Sequence, residues 1–263
     1  MKRDNFLFYL QTLSHLDAAS CRELFCDWLN HTTREEVFNQ VLQYLCAKED
    51  LSSCFIDTPD FECIQLLSTD IFSLELHCYC PISSLSDSDY IHLFHNHGNH
   101  YLSSYHLIGK NYGYSSFTAN SIAADTCPKV STYWSKPGEI VQLGTDVYHS
   151  LINPKGMFAT LVLWDSDSSS SIANRIFYYK NEMKWHQVSD LELKKIDYGF
   201  ERNEFSKYLR SRMLNFRSDM TLNALENSLM NFNNELPFTS WDSEGYDIPW
   251  NEMNYLMSSN EKR

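Results

Sequence analysis

The apolar residues of this chain change period after Asp50. Before it they recur at helical spacing, with Leu7, Leu10 and Leu13 in residues 5–17 and Leu24, Trp28, Phe38, Val41 and Leu45 in residues 20–48, so each set lines one helix face. Ser20 is the expected cap of the second helix. Residues 61–64 and 72–80 then read as short strands rich in aromatic and apolar side chains. From there to about residue 187, strand-length runs alternate with turn-forming clusters at residues 83–89, 109–111, 135–138 and 165–171. That pattern suits a sandwich or barrel. Beyond Gly199 the helical period returns, with Phe205, Leu209, Met213 and Phe216, then Leu222, Leu225 and Leu229. Residues 231–263, with Pro237 and Pro249, read as a tail lying across the core. The expected organisation is a helical extension over residues 1–50, a β-barrel over 51–190, and a helical region with its tail over 191–263, packed on the barrel as one domain.

A chain of 263 residues is long enough for one substantial core. Hydrophobic residues at 43% and charged residues at 21% mark a soluble globular protein. The formal charge of −13 argues against nucleic acid or an anionic membrane as a general partner, because either would repel this surface. No apolar run approaches a bilayer span, and the apolar stretch after Met1 breaks at Gln11, so it reads as a helix start. The eight cysteines sit mostly in apolar contexts without paired C-x-x-C spacing, which predicts reduced thiols in a cytoplasm. Cys78 and Cys80, two apart on a strand, point two small groups to one side. The chain has no G-x-S-x-G elbow, no phosphate-cradling G-x-x-x-x-G-K and no dinucleotide fingerprint, so those chemistries have no foothold.

The chemistry lies in histidines. His95 and His97 stand two apart in Phe94-His95-Asn96-His97-Gly98, and His149 follows in Tyr148-His149-Ser150-Leu151-Ile152-Asn153. Side chains alternate along an extended chain, so H-x-H aims both imidazoles into the same space. A neighbouring strand must supply the third ligand. Three neutral imidazoles can hold one face of a divalent cation and leave positions open for water, oxygen or substrate. Gly109 follows His97 by twelve positions, residues 102–108 can form the returning strand, and the turn there needs a small residue.

These two segments, the second beginning at Pro137-Gly138-Glu139, resemble the two motifs of the cupins over about residues 70–165. The resemblance implies a mainly β fold, a jelly-roll barrel with both motif strands at its mouth, here flanked by N- and C-terminal α-helices. Many cupins carry a glutamate five residues after the second histidine; this chain has Leu102. That departure resembles the three-histidine branch, in particular the cysteine-dioxygenase-like thiol oxygenases. The likeness implies ferrous iron, Fe(II), held by His95, His97 and His149, with dioxygen as co-substrate. Three neutral ligands leave the dipositive charge at the metal, which favours an anionic thiolate or carboxylate of the substrate. No arginine occurs in residues 61–80, where a cysteine-oxidising relative would bind a carboxylate, and Arg175, Lys180 and Arg202 are the cations outside the motifs considered as anion partners.

Four residues are expected to shape the pocket or position protons: Ser104 and His106, which share the parity of Leu102, Tyr148 beside the third ligand, and Trp164, near the place where the thiol oxygenases carry a tyrosine. His92 and His100 are expected in loops, and His77 and His186 belong to no motif. The leading expectation is a mononuclear iron oxygenase acting on a small molecule that coordinates the metal. Zinc with a hydroxide nucleophile, and a non-catalytic small-molecule-binding cupin, remain the alternatives. A homodimer is expected from the resemblance alone.

Overall fold

The computed structural model describes residues 6–11, 16–48, 52–56, 61–79, 94–97, 100–118, 130–166, 175–178 and 185–188. The turn at 83–89, His92, Cys80, Lys180, Arg202 and the helical region expected over 191–263 lie outside the described residues.

The N-terminal helical pattern resolves into α1 (Phe6–Gln11), α2 (Ala18–Asn30) and α3 (Arg34–Cys46). The single helix expected over 20–48 is thus two. Its interruption is chemical: Thr33 accepts from the Glu36 backbone N–H while the Glu36 carboxylate accepts from the Thr33 backbone N–H, a capping box that starts α3. Ser20 is not the cap of α2. Asp17 is, its carboxylate accepting from the Ser20 N–H at 2.7 Å.

The strands follow. β1 (Phe55–Ile56), β2 (Glu62–Ser68), β3 (Phe72–Tyr79), β4 (His100–Gly109), β7 (Ile140–Leu143) and β9 (Phe158–Ser166) form a six-stranded antiparallel sheet in the order β1-β2-β3-β9-β4-β7. A second sheet holds β6 (Ser131–Ser135), β5 (Tyr112–Thr118) and β8 (Val147–Leu151), and β10 (Arg175–Tyr178) pairs with β11 (Trp185–Val188). From β4 to β9 the chain passes repeatedly between the two larger sheets, which is the habit of a jelly roll. The first passage turns at Gly109, whose φ is +95° and where any Cβ would collide with the Met157 carbonyl and Phe158 Cα.

Alternation gives the large sheet two buried faces. Phe72, Leu74, Leu76 and Cys78 of β3, Tyr105 and Leu107 of β4, and Leu161 and Leu163 of β9 point outward into one core with Phe25, Trp28, Val37 and Val41 of the helices. Phe6 of α1 closes that layer, stacked on Trp28 at 4.3 Å. The inward faces of the two sheets meet in two smaller clusters. Tyr79, Phe158, Tyr112 and Leu151 form one, and Leu102, Val141, Leu143 and Val162 the other. No described helix is long and apolar enough to cross a membrane.

Candidate metal centre

His149 sits in β8, paired across the ladder with Ser116 of β5. On its other side runs the segment 94–97. His95 and His149 exchange both backbone hydrogen bonds, 3.1 Å from the His95 N–H and 2.9 Å from the His149 N–H. The H-x-H pair therefore lies beside the second sheet through one bridge and not within a regular strand, as the spacing had suggested. Alternation still governs it. Phe94 packs on Phe117 at 5.4 Å, and the Asn96 amide donates to the Thr145 carbonyl at 3.2 Å. His95 and His97 face His149, with ring centroids 5.1 Å apart within the pair and 4.6 Å from each to His149.

One ring nitrogen from each of the three lies within 4.8 Å of the others. His97 and His149 are buried. Burial, with the charge a protonated His95 would place beside it, pushes the His149 pKa well below its ordinary value. His149 Nδ1 is buried without a hydrogen-bond partner. A neutral imidazole with an orphaned nitrogen, facing two others, is poorly satisfied by protein and well satisfied by a cation. The residues present fit a metal ion.

Around this group the predicted residues separate. Trp164 stands edge-on to His97 with centroids 4.4 Å apart, and its indole N–H donates to Glu75 Oε2 at 3.0 Å. Leu102, paired with Trp164 across β4 and β9, packs among Val141, Leu143 and Val162, so the place of an acidic fourth ligand is apolar. Tyr148 lies on the opposite face of β8 from His149, stacked on Phe117 at 5.2 Å, and so points away from the imidazoles. Ser104 and His106 share the inward face of β4 but stand deeper. At about 3.3 Å per residue they lie roughly 7 and 13 Å along the strand from the level of Leu102.

There the Tyr112 hydroxyl lies against Ser104 and Ser135, and the fully buried His106 ring packs on Tyr112 at 4.9 Å and Phe158 at 5.9 Å. Burial, aided by the Arg34 charge, pushes the His106 pKa down to about 4, against a weaker upward pull from the backbone near Ile108, Lys136 and Ser135. His100, expected in a loop, opens β4. The side chains of Arg175 and His186 lie outside the described residues.

Glu75 and His77 belong to no sequence motif, yet they join Trp164 in one bonded group. Their signal is the alternation of β3, whose inward positions read Ser73, Glu75, His77 and Tyr79 between outward apolar residues. None of the strands in the two larger sheets carries Lys or Arg.

No family model matches this chain, and no curated protein matches it. Solved structures do. The cupin domain of Cnp3 from Schizosaccharomyces pombe is 11% identical over 46% of this chain and 74% of that one, with a TM-score of 0.31. Ectoine synthase from P. lautus is 16% identical over 45% of this chain and 77% of that one, also at 0.31. KdgF from Halomonas sp. is 10% identical over 44% of this chain and 87% of that one, again at 0.31. Strand order, antiparallel register and the crossings between sheets give the described β-structure the architecture of a double-sheet jelly roll.

Proposed function

We propose that the protein is a mononuclear non-haem iron(II) oxygenase acting on a small molecule that coordinates the metal. The observation that carries the reading is the facing of His95, His97 and His149, three imidazoles without an acidic neighbour at Leu102. A ferrous ion bound there supplies dioxygen activation beside a coordinated substrate.

The residues of the chain do the rest. The mutual backbone bonds of His95 and His149 fix two ligands relative to each other, and the Trp164 edge fixes the orientation of His97. Leu102, Val141 and Leu143, clustered against Trp164, keep the interior beside it apolar, which disfavours water there. Because the strands of the two larger sheets bear no Lys or Arg, a substrate carboxylate finds no cation on them, and the metal is the cation that would face its anionic donor there. A small thiol or enolate without a second anionic group suits this wall. Ser104 and His106 line the deeper interior, where they bound the length of the substrate. The buried thiols of Cys63 and Cys78 suit the reducing conditions of a cytoplasm.

The test is iron content and oxygen uptake of anaerobically prepared protein, with and without His149→Ala. Wild type should hold ferrous iron and stay silent with small thiols until oxygen is admitted; the variant should lose both properties. Stoichiometric iron retained in His149→Ala would sink the ligand assignment, and turnover without oxygen would favour zinc.

A further inference from the structure

Behind Trp164, on the same inward face, a second group of ligating atoms converges. Cys63 faces His77 directly across the β2–β3 ladder, and Glu75 shares the face of His77 two residues earlier on β3. A thiol, a carboxylate and an imidazole thus come within 4.8 Å of one another. Glu75 Oε2 lies 2.7 Å from His77 Nε2 and 3.5 Å from Cys63 Sγ. The other ring nitrogen, His77 Nδ1, turns toward the Tyr79 hydroxyl at 3.5 Å, and the Phe61 ring lies 4.3 Å from the imidazole. With Nδ1 held by an outer partner, Nε2 faces the Glu75 carboxylate, and holding one ring nitrogen is how proteins orient a ligating histidine at the other.

Charge points the same way. Burial opposes ionisation of Glu75, but the hydrogen bond and charge of His77, helped by Ser73 and Cys63, hold its pKa below the ordinary value. The same burial, with Glu75 beside it, pushes the Cys63 thiol up, so without a cation it keeps its proton. No Lys or Arg on the strands faces the carboxylate; His77 holds its charge, and a divalent ion would take over that role. One thiolate and one carboxylate cancel its charge, giving a neutral site inside the barrel, whereas the three imidazoles leave theirs dipositive.

We propose that Cys63, Glu75 and His77 form a second metal site, separate from the imidazole triad, that takes a zinc-class divalent ion with water or a substrate atom in the fourth position. Binding releases the Cys63 thiol proton, and any proton held on His77 Nε2, to solvent as the three donors turn to the ion. Trp164 then stands between two unlike centres, its ring against His97 and its N–H on Glu75.

The experiment is a titration of the metal-free full chain with Co²⁺ under anaerobic, reducing conditions. Thiolate coordination gives a near-ultraviolet charge-transfer band that a purely imidazole-bound ion lacks. Wild type should show the band, and His149→Ala should keep it while losing the triad's equivalent, so failure of the iron reading and failure of this one are distinguishable. Cys63→Ser should lose the band, with Cys46→Ser as the exposed-thiol control and circular dichroism to confirm folding. Glu75→Gln, which keeps volume and an acceptor for Trp164, should retain the band with affinity weakened about tenfold or more; it decides the matter if Cys63→Ser does not fold. No band in wild type, an unchanged band in Cys63→Ser, or undiminished affinity in Glu75→Gln overturns the proposal.

Discussion

The two faces of the large sheet are made from the same strands, yet they are put to opposite uses. Outward, β3 sends Phe72, Leu74, Leu76 and Cys78 into the core beneath the helices, which is apolar but for the buried Glu62 carboxyl across from Cys78 and the Ser103 hydroxyl beside Cys26. Inward, the intervening residues Ser73, Glu75, His77 and Tyr79 form a bonded polar group that reaches Trp164 and, through its ring, His97. Apolar burial stabilises the fold at about 25 cal/mol per Å² and has no directional requirement. The inward groups gain little net stability, since each hydrogen bond replaces one made with water, but each fixes a donor or acceptor in place. Stability and chemistry are thus separated by a one-residue step along the strand.

Substitutions on the two faces should therefore fail differently. The largest effect is expected outward. Leu161→Ala in the middle of β9, at a fully buried position, should cost about 4 kcal/mol in denaturant unfolding and leave the metal affinity of the folded fraction unchanged. Loss of metal binding at equal occupancy of the folded state would show that the faces are coupled.

Next comes acid sensitivity from the inward face. The folded pKa of His106 is about 4, below the ordinary 6.5 of the unfolded chain, so native protein binds its proton later than unfolded protein does. Its contribution to stability is complete above about pH 6.5 and disappears as pH falls toward 4, amounting to about 3 kcal/mol. His106→Leu should flatten the stability–pH curve by that amount in that window; the difference from wild type removes whatever His149 adds. An unchanged slope would mean that His106 is not the buried neutral base described above.

The smallest effect is expected at the link between the inward groups. Trp164→Phe keeps a ring against His97 but takes a donor from the Glu75 carboxylate, so it should cost about 2 kcal/mol. Metal release from the triad should quicken by more than this loss of stability accounts for. Equal metal release in both proteins would separate the two inward groups.

How much of this was legible depended on distance along the chain. The facing of His95 and His97 follows from local alternation, and the need for glycine at 109 from a turn. The same alternation assigns Tyr148 to the face opposite His149; adjacency in sequence to a ligand is not adjacency in space. The break between α2 and α3 was written in Thr33 and Glu36, but the apolar period runs through it almost in phase, from Trp28 to Phe38 and Val41, and masks the cap. Glu75 and His77 could not be recognised as a site from β3 alone, because Cys63 reaches them through the β2–β3 register and Trp164 through β9. Parity placed Ser104 and His106 inside. Depth within the barrel depends on strand stagger, which no local pattern specifies.

The backbone exchange between His95 and His149 has a mechanical sequel. It ties together two points far apart in sequence, with β4 to β7 lying between them. An ion gripped by both imidazoles is then a removable clip on a long loop. Chelation would loosen that closure, and the unfolded ensemble would regain the freedom that the clip denied it. With an ion bound there, occupancy of the centre and persistence of the barrel would be one equilibrium viewed from two ends.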